Sequence, residues 1–123
     1  MATTLQLLST DFDGTLHSDY EQPAVPPELQ ERLGELQAAG ATWCINTGRD
    51  LTGLMEGIAR ARLSVRPDYL VTVEREIYIH ENHEYVPHRE WNDQCAAEQE
   101  AAFDEVRPAL PELVAWIRER FDA

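Results

Sequence analysis

Leu5-Gln6-Leu7-Leu8 is an apolar run that turns polar at Ser9-Thr10, the pattern of a buried parallel strand at its carboxyl end. Pro23, Pro26 and Pro27 make residues 21–27 an irregular surface loop. Pro26 or Pro27 can start a helix, where a missing N–H is harmless. Leu29, Leu33 and Leu36 recur at helical spacing, and Gly40 stands where a left-handed residue would end that helix. Residues 41–46 are a second short apolar run, closed by Thr47-Gly48, and predict a second strand. Leu51, Leu54, Met55 and Ile58 then share one helical face with Asp50 as cap, against a cost of about 1 kcal/mol for each of Gly53 and Gly57. After Arg66-Pro67-Asp68, the stretch Tyr69-Leu70-Val71-Thr72-Val73 is rich in β-formers, and Ile77-Tyr78-Ile79 and Tyr85-Val86 flank the polar Glu81-Asn82-His83. This predicts a third strand and a hairpin. From Asn92 the chain turns helical until Pro108 and Pro111 interrupt it, and a last helix carries Leu110, Leu113, Val114, Ile117 and Phe121 on one stripe.

The order β-α-β-α-β predicts an α/β, Rossmann-like fold: a three-layer core around a parallel sheet with right-handed crossovers, extended by a β-hairpin and C-terminal helices. Ligands of such sheets bind beyond the carboxyl ends of the strands. With 123 residues and no linker or repeat, residues 1–123 are read as one domain whose residues 92–123 form a helical tail. Charge then narrows the partners. Asp and Glu outnumber basic residues 23 to 10, and all ten basic residues are arginine. A net charge of −13 repels phosphate backbones and anionic lipid, so neither nucleic acid nor a membrane surface is an expected partner. No apolar run approaches the ~20 residues of a membrane span. Cys44 and Cys95 are too few for a disulfide framework or a zinc site, and residues 1–10 lack a signal-peptide pattern, so a cytoplasmic location is expected.

Asp11-Phe12-Asp13-Gly14-Thr15-Leu16 lies at the end of the first strand, on the expected ligand edge. Two carboxylates one residue apart point to the same side of an extended backbone. They repel unless a hard cation such as Mg²⁺ lies between them, so Asp11 and Asp13 are candidate metal ligands. Gly14 lets the chain turn away sharply. An ordinary acidic turn after a strand has the same composition, and that alternative stands on these residues alone. Thr47-Gly48 ends the second strand 36 residues on, a separation that one strand–helix–strand unit spans. The Thr47 hydroxyl and the N–H groups of a helix start can form a phosphate seat beside the carboxylates.

These segments resemble the haloacid dehalogenase superfamily: residues 11–16 are similar to its first motif and Ile45-Asn46-Thr47-Gly48-Arg49 to its second. The resemblance implies that Asp11 is the nucleophile forming an aspartyl-phosphate, and that Asp13 is the acid that protonates the leaving oxygen and the base that activates water. It implies Mg²⁺ held by the Asp11 carboxylate and the Asp13 backbone carbonyl, and phosphate held by Thr47, with Gly48 and Arg49 beside it. Thr-Gly-Arg, together with Glu76-Ile77-Tyr78 and Trp91, resembles the branch that includes the sucrose-phosphate phosphatases, implying a sugar phosphate as substrate. The resemblance covers about residues 5–91.

The superfamily's third motif, with its charge-balancing Lys or Arg, and its fourth, with further acids for Mg²⁺, have no counterpart here. No lysine occurs at all. The chain therefore reads as the front portion of a longer hydrolase, with a naturally short member as the alternative. Two further functions remain open from the residues: a non-catalytic interaction module that keeps the acidic edge, and a metal-dependent sugar-nucleotide transferase using Asp11 and Asp13 as its metal grip. Arg49 suits both a phosphate contact and a strand-end cap. His80, His83 and His88 read as a solvated face and His17 as a surface histidine. Trp43, Trp91 and Trp116 read as packing residues. The stripe ending at Phe121 is a candidate surface for self-association.

Overall fold

A computed structural model describes residues 4–121. In chain order it contains β1 (Leu7–Thr10), α1 (Pro27–Ala38), β2 (Thr42–Asn46), α2 (Leu51–Ala61), β3 (Tyr69–Thr72), β4 (Glu76–Glu81), β5 (Glu84–Pro87), α3 (Arg89–Val106), a 3₁₀ turn (Arg107–Ala109) and α4 (Leu110–Phe121). The sequence of elements is the one the hydrophobic pattern predicts, and the differences lie at boundaries. β1 starts at Leu7 rather than Leu5. α3 starts at Arg89, three residues before Asn92, because the His88 side chain accepts from the Trp91 N–H and caps it. Pro111 does not break α4, since the second position of a helix needs no N–H.

All five strands form one sheet in the order β1-β2-β3-β4-β5. β1, β2 and β3 pair in parallel, while β3, β4 and β5 pair antiparallel, so the sheet is mixed with a parallel core. Parallel neighbours require crossovers, and α1 and α2 supply them. Gly40, at φ +99°, turns the chain from α1 into β2. Register sets the position of the connecting loops. Thr10 lies opposite Ile45 and Asn46 opposite Val71, so the loops after β1, β2 and β3 emerge at one edge.

The core lies between the sheet and its two crossover helices. Trp43, Ile45 and Leu70 from the strands meet Leu33 from α1, Leu54 and Ile58 from α2, and Phe12 and Leu16 from the loop after β1. Full burial of a side chain of this size contributes about 1.5–3 kcal/mol. Gln30 and Trp43 carry polar groups into the core, and these are paired. Gln30 donates to the Val25 carbonyl at 3.1 Å and accepts from the Ser64 N–H at 2.7 Å, and Trp43 donates through Nε1 to the Thr10 hydroxyl at 3.0 Å. Asp68 ties the loop before β3 to the core by accepting from the Trp43 N–H at 2.8 Å and from Gln37 at 3.1 Å.

The opposite side of the sheet carries exposed Leu7, Tyr69 and Val86. Neither α3 nor α4 buries a residue. Trp91 and Trp116 are accordingly about half exposed, contrary to the expectation that they pack in a core; only Trp43 does so. Trp91 is held by its Nε1 donating to the Arg75 carbonyl, and Trp116 lies under the Arg120 guanidinium. No described helix is long and apolar enough to cross a membrane.

The hairpin is fastened at the bottom of the sheet by half-buried Tyr85, whose hydroxyl donates to the Pro67 carbonyl at 2.8 Å. Burial, with Asp68 nearby and against the opposing pull of Arg66, pushes this phenol from 10.0 up to about 12. A raised folded value means the contribution is full below pH 10 and is lost as pH rises toward 12. Tyr85→Phe is expected to cost about 1 kcal/mol at neutral pH and to flatten that alkaline decline, as urea unfolding at pH 7, 10 and 12 will show. An unchanged alkaline limb in the variant contradicts the assignment.

Candidate active site

The chain leaves β1 at Thr10 and folds Asp11 back on itself. One Asp11 carboxylate oxygen accepts from the Phe12 N–H at 2.8 Å and the other from the Thr15 hydroxyl at 3.4 Å. Phe12 plunges into the core at 0% exposure, which anchors the loop between the two acids. Leu16 N–H and His17 N–H both donate to the Phe12 carbonyl, closing a tight turn in which Gly14 has φ +74°. His17, expected at the surface, stacks on Phe12 with ring centroids 4.9 Å apart, and its Nδ1 is buried without a hydrogen-bond partner. The turn pulls it under the loop, a constraint that residue type alone does not carry.

Thr47 ends β2 on the neighbouring strand and is buried at 4% exposure. Its N–H donates to the Val71 carbonyl, and its hydroxyl accepts from the Arg49 N–H at 3.1 Å. Asp50 then caps α2 by accepting from the Gly53 N–H at 2.7 Å, as its position predicts. Asp11, Thr47 and Gly48, with Ser9, Thr10, Asn46 and Glu74, line a single polar opening of about 430 Å³ at the carboxyl edge of the sheet. The nucleophile candidate and the phosphate-seat candidates are thus neighbours.

Asp13 stands beside the opening, gripped by Arg49. The guanidinium donates to both Asp13 oxygens, through Nε at 2.8 Å and Nη2 at 2.5 Å, while Nη1 donates to the Gly53 carbonyl at 3.1 Å. It also lies over the Phe12 ring, 5.3 Å from its centroid. The hydrogen bonds and charge of Arg49 hold the Asp13 carboxyl below the usual carboxylate range, outweighing its partial burial, and raise Arg49 in turn. Gly57 makes room for this arrangement. A Cβ there would come within 2.8 Å of the Phe12 ring and 2.9 Å of Arg49 Nη1.

Two features were not readable as site residues from the sequence. Glu74 reaches the opening from the turn after β3, which carries none of the usual turn residues. Gly57 reads as a helix-weakening glycine until its neighbours are known. Burial pushes the Cys44 thiol up, which suits an inert core residue.

The donor set suits a divalent cation in kind. Asp11 and Asp13 offer only hard oxygen, as Mg²⁺ requires, and Mg²⁺ usually keeps several of its waters. Among the described residues no group of three His, Cys, Asp or Glu side chains stands close enough to cage a metal.

Known proteins resemble this chain at the level of both family and structure. The family model for sucrose-6F-phosphate phosphohydrolase matches residues 4–119. Among solved structures, the sucrose-phosphatase from Synechocystis, in complex with sucrose and phosphate, is similar at a TM-score of 0.64 with 26% identity, over 86% of this chain and 41% of that one. A haloacid dehalogenase-like hydrolase from Bacillus subtilis aligns at a TM-score of 0.61 with 18% identity, over 72% of this chain and 34% of that one. A phosphatase of the haloalkanoate superfamily from Bacteroides thetaiotaomicron aligns at 0.55 with 21% identity, over 82% and 37%. The chain thus spans about two fifths or less of the length of these three structures. No curated protein matches it.

A depressed Asp13 contributes stability above its ordinary value of 3.8 and loses it as pH falls through the lowered one. Arg49→Ala is expected to return the Asp13 titration to near 3.8, read by carboxyl NMR without divalent cation; a titration that does not move overturns the ion pair. Gly57→Ala is expected to lower stability by about 1–3 kcal/mol, because the fully buried Phe12 ring cannot yield and the clash outweighs the helix-propensity gain of about 1 kcal/mol. Urea unfolding measures this, and a stabilised variant would contradict it.

Proposed function

The chain belongs to the sucrose-6F-phosphate phosphohydrolase family, and from that premise we propose that it carries the nucleophile half of a phosphoric monoester hydrolase acting on a sugar phosphate. The observation that supports this reading is the shared opening, whose lining includes Asp11 from the loop after β1 and Thr47 and Gly48 from the loop after β2. In-line phosphoryl transfer is mainly positioning and charge neutralisation, and this pocket offers a nucleophile and a seat on adjacent strands.

An Asp11 oxygen attacks phosphorus, the bond to the leaving oxygen breaks, and the product alcohol departs with a proton. Water then attacks the aspartyl-phosphate, releasing phosphate and regenerating the carboxylate. The Thr47 hydroxyl accepts from the Arg49 N–H, which leaves its own proton to donate to a phosphoryl oxygen. Gly48, without a side chain, allows that oxygen to approach the backbone. Asp13 serves both proton transfers. As an ionised carboxylate held by Arg49 it suits the second, taking a proton from water. The first needs the proton on Asp13, so Arg49 must slacken as substrate enters, and its remaining N–H groups then reach the phosphoryl group. Mg²⁺, held by the Asp11 carboxylate and the Asp13 carbonyl, would shield the negative charges of nucleophile and substrate from one another.

Beryllium fluoride with Mg²⁺ mimics a phosphorylated aspartate and binds only the folded chain. It is expected to raise the unfolding temperature by several degrees at saturating ligand, an effect lost in Asp11→Asn. A chain that shows no shift is a non-catalytic module, and a shift retained in Asp11→Asn removes Asp11 from the reaction.

A further inference from the structure

The turn between β3 and β4 is built against its own sequence. Thr72-Val73-Glu74-Arg75 closes by the Arg75 N–H donating to the Thr72 carbonyl at 3.0 Å, with φ +44° at Val73 and +61° at Glu74. Two successive left-handed residues are the mark of a type I′ turn, for which Asn-Gly is the favoured pair, and here Arg75 adds a third residue before β4 pairs at Glu76. A β-branched Val there is a steric outlier, sustained only where its surroundings over-determine it. They do. Val73 N–H donates to the Arg49 carbonyl at 2.9 Å and Glu74 N–H to the Thr47 carbonyl at 3.1 Å, stitching the turn to the Thr47-Gly48-Arg49 loop.

The outcome is the placement of one carboxylate. Glu74 Oε1 lies 3.8 Å from where a Cβ on Gly48 would stand, on the rim of the opening that Asp11 and Thr47 line. It forms no hydrogen bond or ion pair among the described residues. A carboxylate is an acceptor only, with lone pairs enough for two neighbouring hydroxyls, and its bonds to hydroxyl donors are stronger than those between neutral groups. It also repels anions, and the Arg49 guanidinium, which serves the transferred phosphoryl group once substrate enters, is not free to offset that repulsion for a second phosphate.

We propose that Glu74 is a specificity-determining residue of this site, accepting hydrogen bonds from the hydroxyls of a sugar monophosphate and rejecting sugars that carry a second phosphate. The inference rests on the phosphatase reading of the Asp11 site. It makes the turn a device of discrimination that works partly by repulsion.

Calorimetric titration of the full chain with Mg²⁺ tests it, using glucose 6-phosphate, glucose 1,6-bisphosphate and inorganic phosphate on the natural chain, Glu74→Gln and Glu74→Gly. The natural chain should prefer the monophosphate over the bisphosphate by about tenfold. Glu74→Gln keeps an acceptor and removes the charge, and should bring the two sugars to near parity. Glu74→Gly, which suits the positive φ and should unfold at higher urea, is expected to lose the advantage of glucose 6-phosphate over inorganic phosphate. If phosphate still binds and both preferences are the same in all three chains, Glu74 has no such role while the phosphatase reading stands. If neither the three ligands nor beryllium fluoride binds the natural chain, the phosphatase reading fails and this inference with it.

Discussion

Two carboxylates can share one strand end only where something offsets their repulsion, and in this chain the Arg49 guanidinium does so for Asp13. The pair is bidentate and joins the loop after β1 to the loop after β2. Because β1 and β2 are parallel neighbours, the junction lies at their common carboxyl edge and draws Asp11 and Thr47 to one opening. The ion pair is partly exposed, so its own contribution to folding is small. Its importance is geometric. Phe12 beneath it, Gly53 at its flank and the missing side chain of Gly57 all serve the same position of the guanidinium.

That arrangement bears directly on the chemistry. Asp11 accepts from its own loop and faces the opening, whereas Asp13 is held aside as an anion. Identical side chains one residue apart are thereby given different surroundings, the division that the proposed nucleophile and proton carrier would require. The strained turn at Val73 and Glu74 belongs to the same edge. It is joined to the Thr47 loop by the backbone hydrogen bonds that Val73 and Glu74 donate to the Arg49 and Thr47 carbonyls.

Most of the fold was legible because hydrophobic periodicity reports burial directly. Leu33, Trp43, Ile45, Leu54, Ile58 and Leu70 read as core and are core. Asp11 and Thr47 were also readable as neighbours, since their spacing matches one crossover unit between parallel strands. What could not be read was decided by tertiary contact. Arg49 is equally suited to phosphate and to carboxylate until Asp13 is seen within its reach. His17 is drawn inward by a turn closed through the Phe12 carbonyl. Glu74 lies in a hairpin turn without Asn or Gly, and no local signal betrays it. Trp91 and Trp116 have core composition on helices that bury nothing among the described residues, so residue type misled there.

The proposed chemistry depends on Asp11 as the residue that meets phosphorus. Incubating the chain with Mg²⁺ and acetyl phosphate, reducing with borohydride and sequencing the peptides by mass spectrometry tests this directly, because borohydride converts an aspartyl-phosphate to homoserine. Homoserine at position 11 and aspartate at position 13 are the expected result. Unmodified aspartate at 11, or the modification at any other carboxylate, contradicts it.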